Sequence, residues 1–289
     1  MSKAALCSDR VLLNDWHVIA DLTNLSPGKA FNTRLLGVDL EVRYLHGDCD
    51  DEVVRSESGE HVRSARRYGF LWACLGEPER DIVFVPEAEE ADRYLVTGGS
   101  IAVRTSGLRA VENFLDMGHL PFVHPGYLGE EPHTEVAPYN VQMTESDEVL
   151  ATECKFYQPF ASPSAKDGFL VNYVYKVIRP YTVALYKSNS IHKDRLDTIT
   201  LFVQPVDEEN CIAHPFLCYV KDGTGEAAVR SFMQLIFAQD KPILENQVPR
   251  RLPLDPRAET PIRADAVSVL YRRWLRDRAV SYGAIPARL

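Results

Sequence analysis

Hydrophobic and polar positions alternate over short stretches near the start of this chain. Three such stretches, at 16–22, 30–44 and 68–76, are separated by turn residues such as those of Ser26-Pro27-Gly28. Alternation with period two, bounded by turns, predicts β-strands. The polar and acidic stretch 46–59 predicts an exposed connection that interrupts the sheet. We therefore expect a small β-rich domain over residues 1–88.

The period changes from two to that of a helix at residues 105–119. Two sets of residues fall on different sides of this helix, the apolar Val111, Phe114, Leu115 and Gly118, and the polar Glu112, Asn113, Asp116 and His119. Pro121 and the Pro-Gly pair at 125–126 are expected to end the helix, which places His124 on the following turn.

The rest of the chain predicts an antiparallel sheet followed by two helices. Strand-like runs separated by turns fill residues 134–221, whereas 224–248 and 265–278 return to helical spacing. Together with the first segment, this gives an α+β protein whose second domain covers residues 89–289.

Charge and cysteine spacing argue against nucleic acid as a partner and against a fold held by zinc or disulfides. The net charge of -9, from 32 basic and 41 acidic residues, disfavours nucleic acid, whose phosphates need basic patches. The six cysteines form no C-x-x-C pair, so neither a zinc ribbon nor a disulfide framework is indicated. Neither a signal peptide nor a membrane-spanning run is recognisable, and a cytoplasmic protein without membrane contact is expected.

A candidate metal site follows from three residues. His119 and His124 can converge from a helix end and its turn, and Asp240 lies in the apolar stripe of the 224–248 helix, with Pro242 expected to bend that helix. A carboxylate facing a core costs several kcal/mol unless a cation compensates it. Two histidines and one carboxylate form the facial triad of Fe(II) oxygenases. Alternatively, the histidines are structural and Asp240 pairs with a buried Arg or Lys.

The segment from Asn113 to Gly126, NFLDMGHLPFVHPG, resembles the catalytic motif of Rieske non-haem iron oxygenase α-subunits. The segments IFAQDKPILENQ (236–247) and LPLDPRAE (252–259) are similar to the demethylase and phenoxy-acid branch of that family. The resemblance runs from about Trp16 to the C-terminal helix. It implies a helix-grip catalytic domain, a curved antiparallel sheet with helices, over 89–289.

The resemblance also implies roles for individual residues. His119, His124 and Asp240 would bind Fe(II), with O2 as co-substrate. Asp116 would hydrogen-bond a ligand histidine and bridge toward an incoming cluster, and Asn113 would lie near the iron.

The first domain departs from the family pattern. Family members hold a [2Fe-2S] cluster with C-x-H and C-x2-H pairs, but no C-x-H occurs in this sequence. A reduced Rieske-like domain without a [2Fe-2S] cluster is therefore expected over 1–88. Electrons would come from a Rieske-bearing, NADH-dependent reductase in a heteromeric complex, with a glutathione-transferase-like subunit as a further partner.

Cluster-less oxygenase subunits of this kind act in bacterial caffeine degradation. The resemblance thus implies oxidative N-demethylation of a methylxanthine, converting 7-methylxanthine to xanthine and formaldehyde. Candidate purine contacts on the predicted sheet are Phe156, Asn172, Tyr173 and Tyr175, although aromatics at alternating strand positions more often belong to a core.

Three other functions are compatible with the pattern. A helix-grip protein can simply hold an apolar ligand, and a cluster-less chain can serve as a structural subunit of an oxygenase complex. Zinc could also occupy two histidines and an aspartate, as in a hydrolase. The set of Asp116, His119, His124 and Asp240 argues against the first two, and the lack of a separate general base against the third.

Overall fold

The computed structural model describes residues 5–44, 51–255 and 257–287. Part of the predicted acidic connection, including Cys49, lies outside these residues. Up to residue 88 the described chain forms a short helix and six strands, namely α1 (Arg10–Leu13), β1 (His17–Asp21), β2 (Ala30–Leu35), β3 (Val38–Arg43), β4 (Glu52–Arg55), β5 (Arg63–Arg67) and β6 (Phe70–Cys74).

These strands form two small antiparallel sheets, one in the order β1-β6-β5 and the other in the order β2-β3-β4. The β-rich character predicted for this region is confirmed. The prediction of an exposed connection over 46–59 is wrong at β4, where Val53 is fully buried. Two consecutive β-branched residues, Val53 and Val54, favour a strand despite the acidic neighbours.

The remaining described chain contains ten strands, four helices and short 3-10 turns. In chain order the strands and helices are β7 (Arg93–Thr97), β8 (Ile101–Val103), α2 (Gly107–Leu115), α3 (Leu120–Val123), β9 (Asn140–Met143), β10 (Val149–Gln158), β11 (Phe169–Arg179), β12 (Thr182–Ser188), β13 (Leu196–Pro205), β14 (Cys211–Val220), α4 (Glu226–Asn246), β15 (Leu252–Pro253), α5 (Ala266–Asp277) and β16 (Ala284–Ile285).

Strands β7 to β14 form one antiparallel sheet in the order β7-β14-β13-β12-β11-β10-β9, with β8 also paired to β14. The helices cover one face of this sheet, with α2 against β12 to β14, α4 against β7 and β8, and α5 against β9 and β10. This arrangement confirms the predicted α+β, helix-grip architecture.

The opposite face of the large sheet is covered by the first small sheet. Phe202 and Phe216 project from this face and meet Phe70 and Trp72, with the Trp72 and Phe202 ring centroids 4.8 Å apart. A second, larger hydrophobic core contains residues from Leu12 through to Ala284. Since the two parts share their cores, the division into domains 1–88 and 89–289 stays a prediction.

The predicted helices are present, but some of their ends and buried residues differ from the prediction. The helix expected over 105–119 ends at Leu115, and Pro121 lies in the first turn of α3 instead of ending a helix. Helix α4 continues through Pro242 to Asn246. Its buried stripe contains Phe237 and Leu244, whereas Ile243, whose helical spacing would also predict a place in this stripe, is 47% exposed. No helix among the described residues is long and apolar enough to cross a membrane.

Candidate metal centre

The start of α2 is fixed tightly against the large sheet. Ser106 caps the helix by accepting a hydrogen bond from the Leu108 amide, while its hydroxyl donates to the Gly283 carbonyl over 2.6 Å. A Cβ atom at Gly107 would lie 2.8 Å from the Tyr181 ring and 2.9 Å from Val203, so only glycine allows this close approach. The far end of α2 thereby reaches a defined position.

Asp116 is the residue that ends α2. Its backbone is extended, and its Oδ1 accepts a 2.7 Å hydrogen bond from the Gly118 amide. The chain turns at once, so that His119 begins α3 and His124 follows its last residue. Asp116 and His119 therefore meet across a turn, and not on one helix face as the spacing predicted.

The side chains of His119, His124 and Asp240 converge on one point. The Nε2 atoms of His119 and His124 are 3.3 Å apart. Asp240 Oδ1 lies 3.3 Å from His119 Nε2 and 3.1 Å from His124 Nε2. His124 is 1% exposed and Asp240 8%. Three potential ligand atoms this close to one another can coordinate a single metal ion.

The outer ring nitrogens of both histidines have partners of their own. His119 Nδ1 donates to Asp116 Oδ2 over 3.1 Å, and His124 Nδ1 donates to Gln239 Oε1 over 2.8 Å. Such partners fix the ring orientation and leave Nε2 free for a metal. Gln239 was missed by the sequence analysis, since only the folded structure brings it next to His124.

The electrostatics of the group favour a bound cation. Asp240 Oδ1 is shielded from solvent and accepts no hydrogen bond from the described residues, although both Nε2 atoms are close. If both imidazoles are neutral and donate through Nδ1, three lone pairs face the same point. A positive ion between them would relieve this repulsion, so these residues fit a metal.

A proton can partly replace that ion. Burial disfavours a charge on His119, but the hydrogen bond to Asp116 and the nearby Asp240 carboxylate outweigh this effect and raise the pKa of His119 to about 9. Burial likewise opposes ionisation of Asp240, yet contact with the two histidines lowers its pKa below the ordinary value. Metal binding must displace this proton.

A cavity opens from the metal ligands toward the large sheet. Asn113 and Asp116 line it beside the histidines, and Tyr173 and Tyr175 line it from β11. Lys187 of β12 and Tyr219 of β14 line it as well, and the other lining residues are apolar, namely Ala110, Phe114, Leu120, Leu128, Leu185, Ile199, Leu201, Pro215, Phe232, Met233, Ile236 and Phe237. Such an enclosure suits a flat organic molecule.

Two of the four proposed substrate contacts are placed elsewhere. Asn172 is exposed, because its side chain points away from the face that carries Tyr173 and Tyr175. Phe156 is buried at 2% but does not line the cavity, and its ring packs instead against Gly129. We therefore withdraw both as substrate contacts.

A C-x2-H pair, Cys211 and His214, does occur in β14, but it is no cluster site. Residues three apart in a strand point to opposite faces. His214 is moreover held by Ser100 and by Gln204, each over 3.1 Å. The described cysteines and histidines thus contain no arrangement for a [2Fe-2S] cluster.

The two histidines and the aspartate that line this largely apolar cavity are the ligand set of the facial triad found in non-haem Fe(II) oxygenases. Residues 103–280, more than half of the chain, match the vanillate O-demethylase oxygenase C-terminal domain. The chain belongs to this family and is an oxygenase catalytic subunit of the Rieske non-haem iron class.

One sequence relative supports this assignment, and solved structures share the fold. A probable methylxanthine N7-demethylase, NdmC of Pseudomonas sp. (strain TJI-51), is 46% identical over 94% of this chain and 96% of its own length. The structure of NdmA of Pseudomonas putida CBB5 with caffeine has a TM-score of 0.75 at 20% identity, covering 92% of this chain and 90% of that one.

Dicamba monooxygenase with non-haem iron and dicamba has the same fold, with a TM-score of 0.66 at 15% identity over 94% of this chain and 98% of that one.

Proposed function

We propose that the protein is the iron-binding component of a methylxanthine N-demethylase that converts 7-methylxanthine to xanthine and formaldehyde. The observation that carries this proposal is the convergence of His119, His124 and Asp240 at the mouth of an apolar cavity. The 46% identity to a probable methylxanthine N7-demethylase supports the substrate class.

Fe(II), held by His119, His124 and Asp240, would supply O2 activation when bound. The net reaction takes up O2, two electrons and two protons, inserts one oxygen atom into a C–H bond of the N-methyl group and releases water. The resulting N-hydroxymethyl group then breaks at its C–N bond, giving formaldehyde and the N–H of xanthine.

The residues around the metal would orient ligands and exclude water. Asp116 and Gln239 hold the two histidines by their Nδ1 atoms, and the apolar wall keeps the reacting methyl group away from bulk water. Asn113, Tyr173 and Tyr175 line the cavity and would contact the purine.

We propose that the two electrons come from another protein, since the sequence contains no C-x-H pair of the kind with which family members hold a [2Fe-2S] cluster. A Rieske-bearing, NADH-dependent reductase is the proposed donor, and a glutathione-transferase-like subunit is a further proposed partner in a cytoplasmic complex. Asp116, which lies between His119 and the outer surface, is the proposed point of electron entry.

Formaldehyde release tests this proposal. Fe(II)-loaded protein, NADH and a Rieske-bearing reductase should yield one formaldehyde per 7-methylxanthine consumed. Asp240→Asn should lose turnover by at least about 100-fold, because it removes the negative ligand of the metal. Glu245→Gln, in the same helix but ion-paired with Lys241 and Arg104, should keep its activity.

If Asp240→Asn keeps its turnover, the assignment of Asp240 as a metal ligand is wrong. Bound iron without turnover of 7-methylxanthine would instead leave the metal centre in place and refute the substrate.

A further inference from the structure

Lys187 is a buried lysine at the cavity wall that the proposed reaction does not use. It is 3% exposed and lies in β12, on the same face of that strand as Leu185. The register of the sheet sets Lys187 directly opposite Tyr173 of β11, and all three residues line the cavity. A cation thus belongs to an otherwise largely apolar surface.

The hydrogen-bond partners of Lys187 are neutral. Its ammonium group donates to the carbonyl of Ala161 and, over 3.5 Å, to Oε1 of Gln158. The Gln158 amide donates in turn to the hydroxyl of Tyr173. These contacts leave at least one of the three ammonium N–H donors of Lys187 unused.

The nearest candidate for a counter-ion is engaged elsewhere. Asp197 of β13 is the cross-strand neighbour of Lys187, but its carboxylate accepts hydrogen bonds from the side-chain amide of Asn189 over 2.9 and 3.0 Å and from the backbone amide of Val220 over 2.9 Å. Within the part of the chain that the structure describes, no carboxylate lies within 4.0 Å of the Lys187 ammonium.

A buried cation without an ion-pair partner is costly, and proteins keep such groups mainly where a ligand compensates them. Burial lowers the pKa of Lys187 to about 8, with Asp197 acting in the opposite direction. The cavity therefore presents a positive charge, surrounded by apolar and aromatic side chains, to whatever enters it.

We propose that Lys187 is a specificity-determining residue that binds an acidic nitrogen or an anionic oxygen of a planar aromatic substrate. This inference rests on the proposed function and refines it. 7-Methylxanthine keeps the N–H groups at ring positions 1 and 3 and can lose a proton, which places negative charge on the ring nitrogen and carbonyl oxygens. Caffeine carries methyl groups at both positions and cannot ionise.

The geometry therefore favours sparsely methylated xanthines over caffeine. A hydrogen bond from an ammonium to an anion is roughly twice as strong as one between neutral groups. Charge-assisted recognition of this kind corresponds to roughly a 10- to 100-fold difference in affinity.

Calorimetric titration of the full-length, Fe(II)-loaded protein without oxygen tests the proposal. The ligands are 7-methylxanthine, caffeine and benzoate, which carries its charge on a carboxylate. The wild type should bind 7-methylxanthine more tightly than caffeine. Lys187→Met should weaken the binding of 7-methylxanthine roughly 10- to 100-fold and the binding of caffeine less than about 3-fold.

Lys176→Met is the matched control. Lys176 lies on the adjacent β11, is ion-paired with Glu148 over 2.8 Å and does not line the cavity. This variant should bind all three ligands like the wild type. Equal weakening of 7-methylxanthine and caffeine by Lys187→Met would overturn the proposal, since it would assign the lysine a structural role in holding the loop around Ala161.

The wild type alone provides a second test, which stands even if Lys187→Met does not fold. Caffeine bound as tightly as 7-methylxanthine would overturn the role of Lys187 but leave the demethylase proposal standing. If benzoate binds in a Lys187-dependent manner and neither xanthine binds, the anion-binding role of Lys187 is supported and the demethylase proposal is refuted. Binding of none of the three would contradict both.

Discussion

At the scale of single residues, the ring of His124 depends on Gln239 for its orientation. The 2.8 Å hydrogen bond from Nδ1 to Gln239 Oε1 directs Nε2 toward Asp240 Oδ1, 3.1 Å away. Removing such a partner typically lowers metal affinity 10- to 100-fold, because the ring loses its orientation and basicity. We expect Gln239→Leu to show a loss of about this size.

Competition with a chromophoric chelator measures this affinity. The control is Gln234→Leu, an exposed glutamine of the same helix that donates to the Gly98 carbonyl. If Gln239→Leu binds iron as tightly as this control, the proposed orientation of His124 is incorrect.

His214 makes the fold sensitive to acid. Burial lowers the pKa of His214 to about 3, while its ring nitrogens are hydrogen-bonded to Ser100 and Gln204. The unfolded chain, with an ordinary pKa near 6.5, therefore binds one more proton between about pH 6.5 and pH 3. Stability is greatest above pH 6.5 and falls as the pH is lowered, by roughly 1.4 kcal/mol per pH unit from this residue alone.

Urea unfolding at pH 4.5 and 6.5 measures this contribution, which is about 2 kcal/mol between the two pH values. Buried His17 acts in the same direction, since burial lowers its pKa too. His214→Asn should therefore reduce the pH dependence by about one proton without abolishing it. The exposed His192 provides the control His192→Gln, and an unchanged slope in His214→Asn would contradict this account.

Sequence reasoning identified the residues whose chemistry conflicts with their pattern. Asp240 was found because a carboxylate interrupts an apolar helical stripe. The same reasoning could have found Lys187, which continues the inward-facing alternation of Val183 and Leu185. Gln239 has no such signal, because its position next to His124 depends on how α4 packs against the turn after α2.

At the scale of secondary-structure elements, ion pairs join α2 to α5 beneath the metal site. Glu112 of α2 accepts hydrogen bonds from Arg272 of α5 over 2.8 Å and from Arg109 over 3.3 Å. Both arginines also contact Glu259. The Glu112 side chain is only 12% exposed, so its loss would leave the buried guanidinium of Arg109 and the partly buried guanidinium of Arg272 with one fewer partner each.

We expect Glu112→Ala to lower the free energy of unfolding by about 3 kcal/mol, as for other broken buried ion pairs. The control Arg273→Ala removes an exposed arginine of α5, 3.8 Å from Asp277, and should cost less than about 0.5 kcal/mol. Denaturant titration compares the two variants. Equal effects would show that the α2–α5 contact depends on apolar packing and not on Glu112.

Element types were more predictable than their ends. Periodicity identified α4 and α5 to within about two residues at each end, because their apolar stripes are long. It placed the end of α2 too late, since Asp116 and His119 keep helical spacing although the chain has already turned. Strand β4 was missed because its neighbours are charged.

At the scale of the whole molecule, the first 88 residues have a structural role. Phe70 and Trp72 cover Phe202 and Phe216 on the outer face of the large sheet. The region that the family resemblance identifies with a cluster-binding domain contributes aromatic side chains to the hydrophobic core. The catalytic part therefore keeps its support while, in our proposal, electron delivery passes to a partner.

The most direct test of this account is electron paramagnetic resonance of the anaerobic, Fe(II)-loaded protein treated with nitric oxide. We predict the signal of one mononuclear iron–nitrosyl centre per chain, a change in its shape when 7-methylxanthine is added, and no [2Fe-2S] signal after reduction. A reduced cluster signal, or a nitrosyl signal that 7-methylxanthine leaves unchanged, would contradict an iron site that opens into the methylxanthine cavity of a cluster-less subunit.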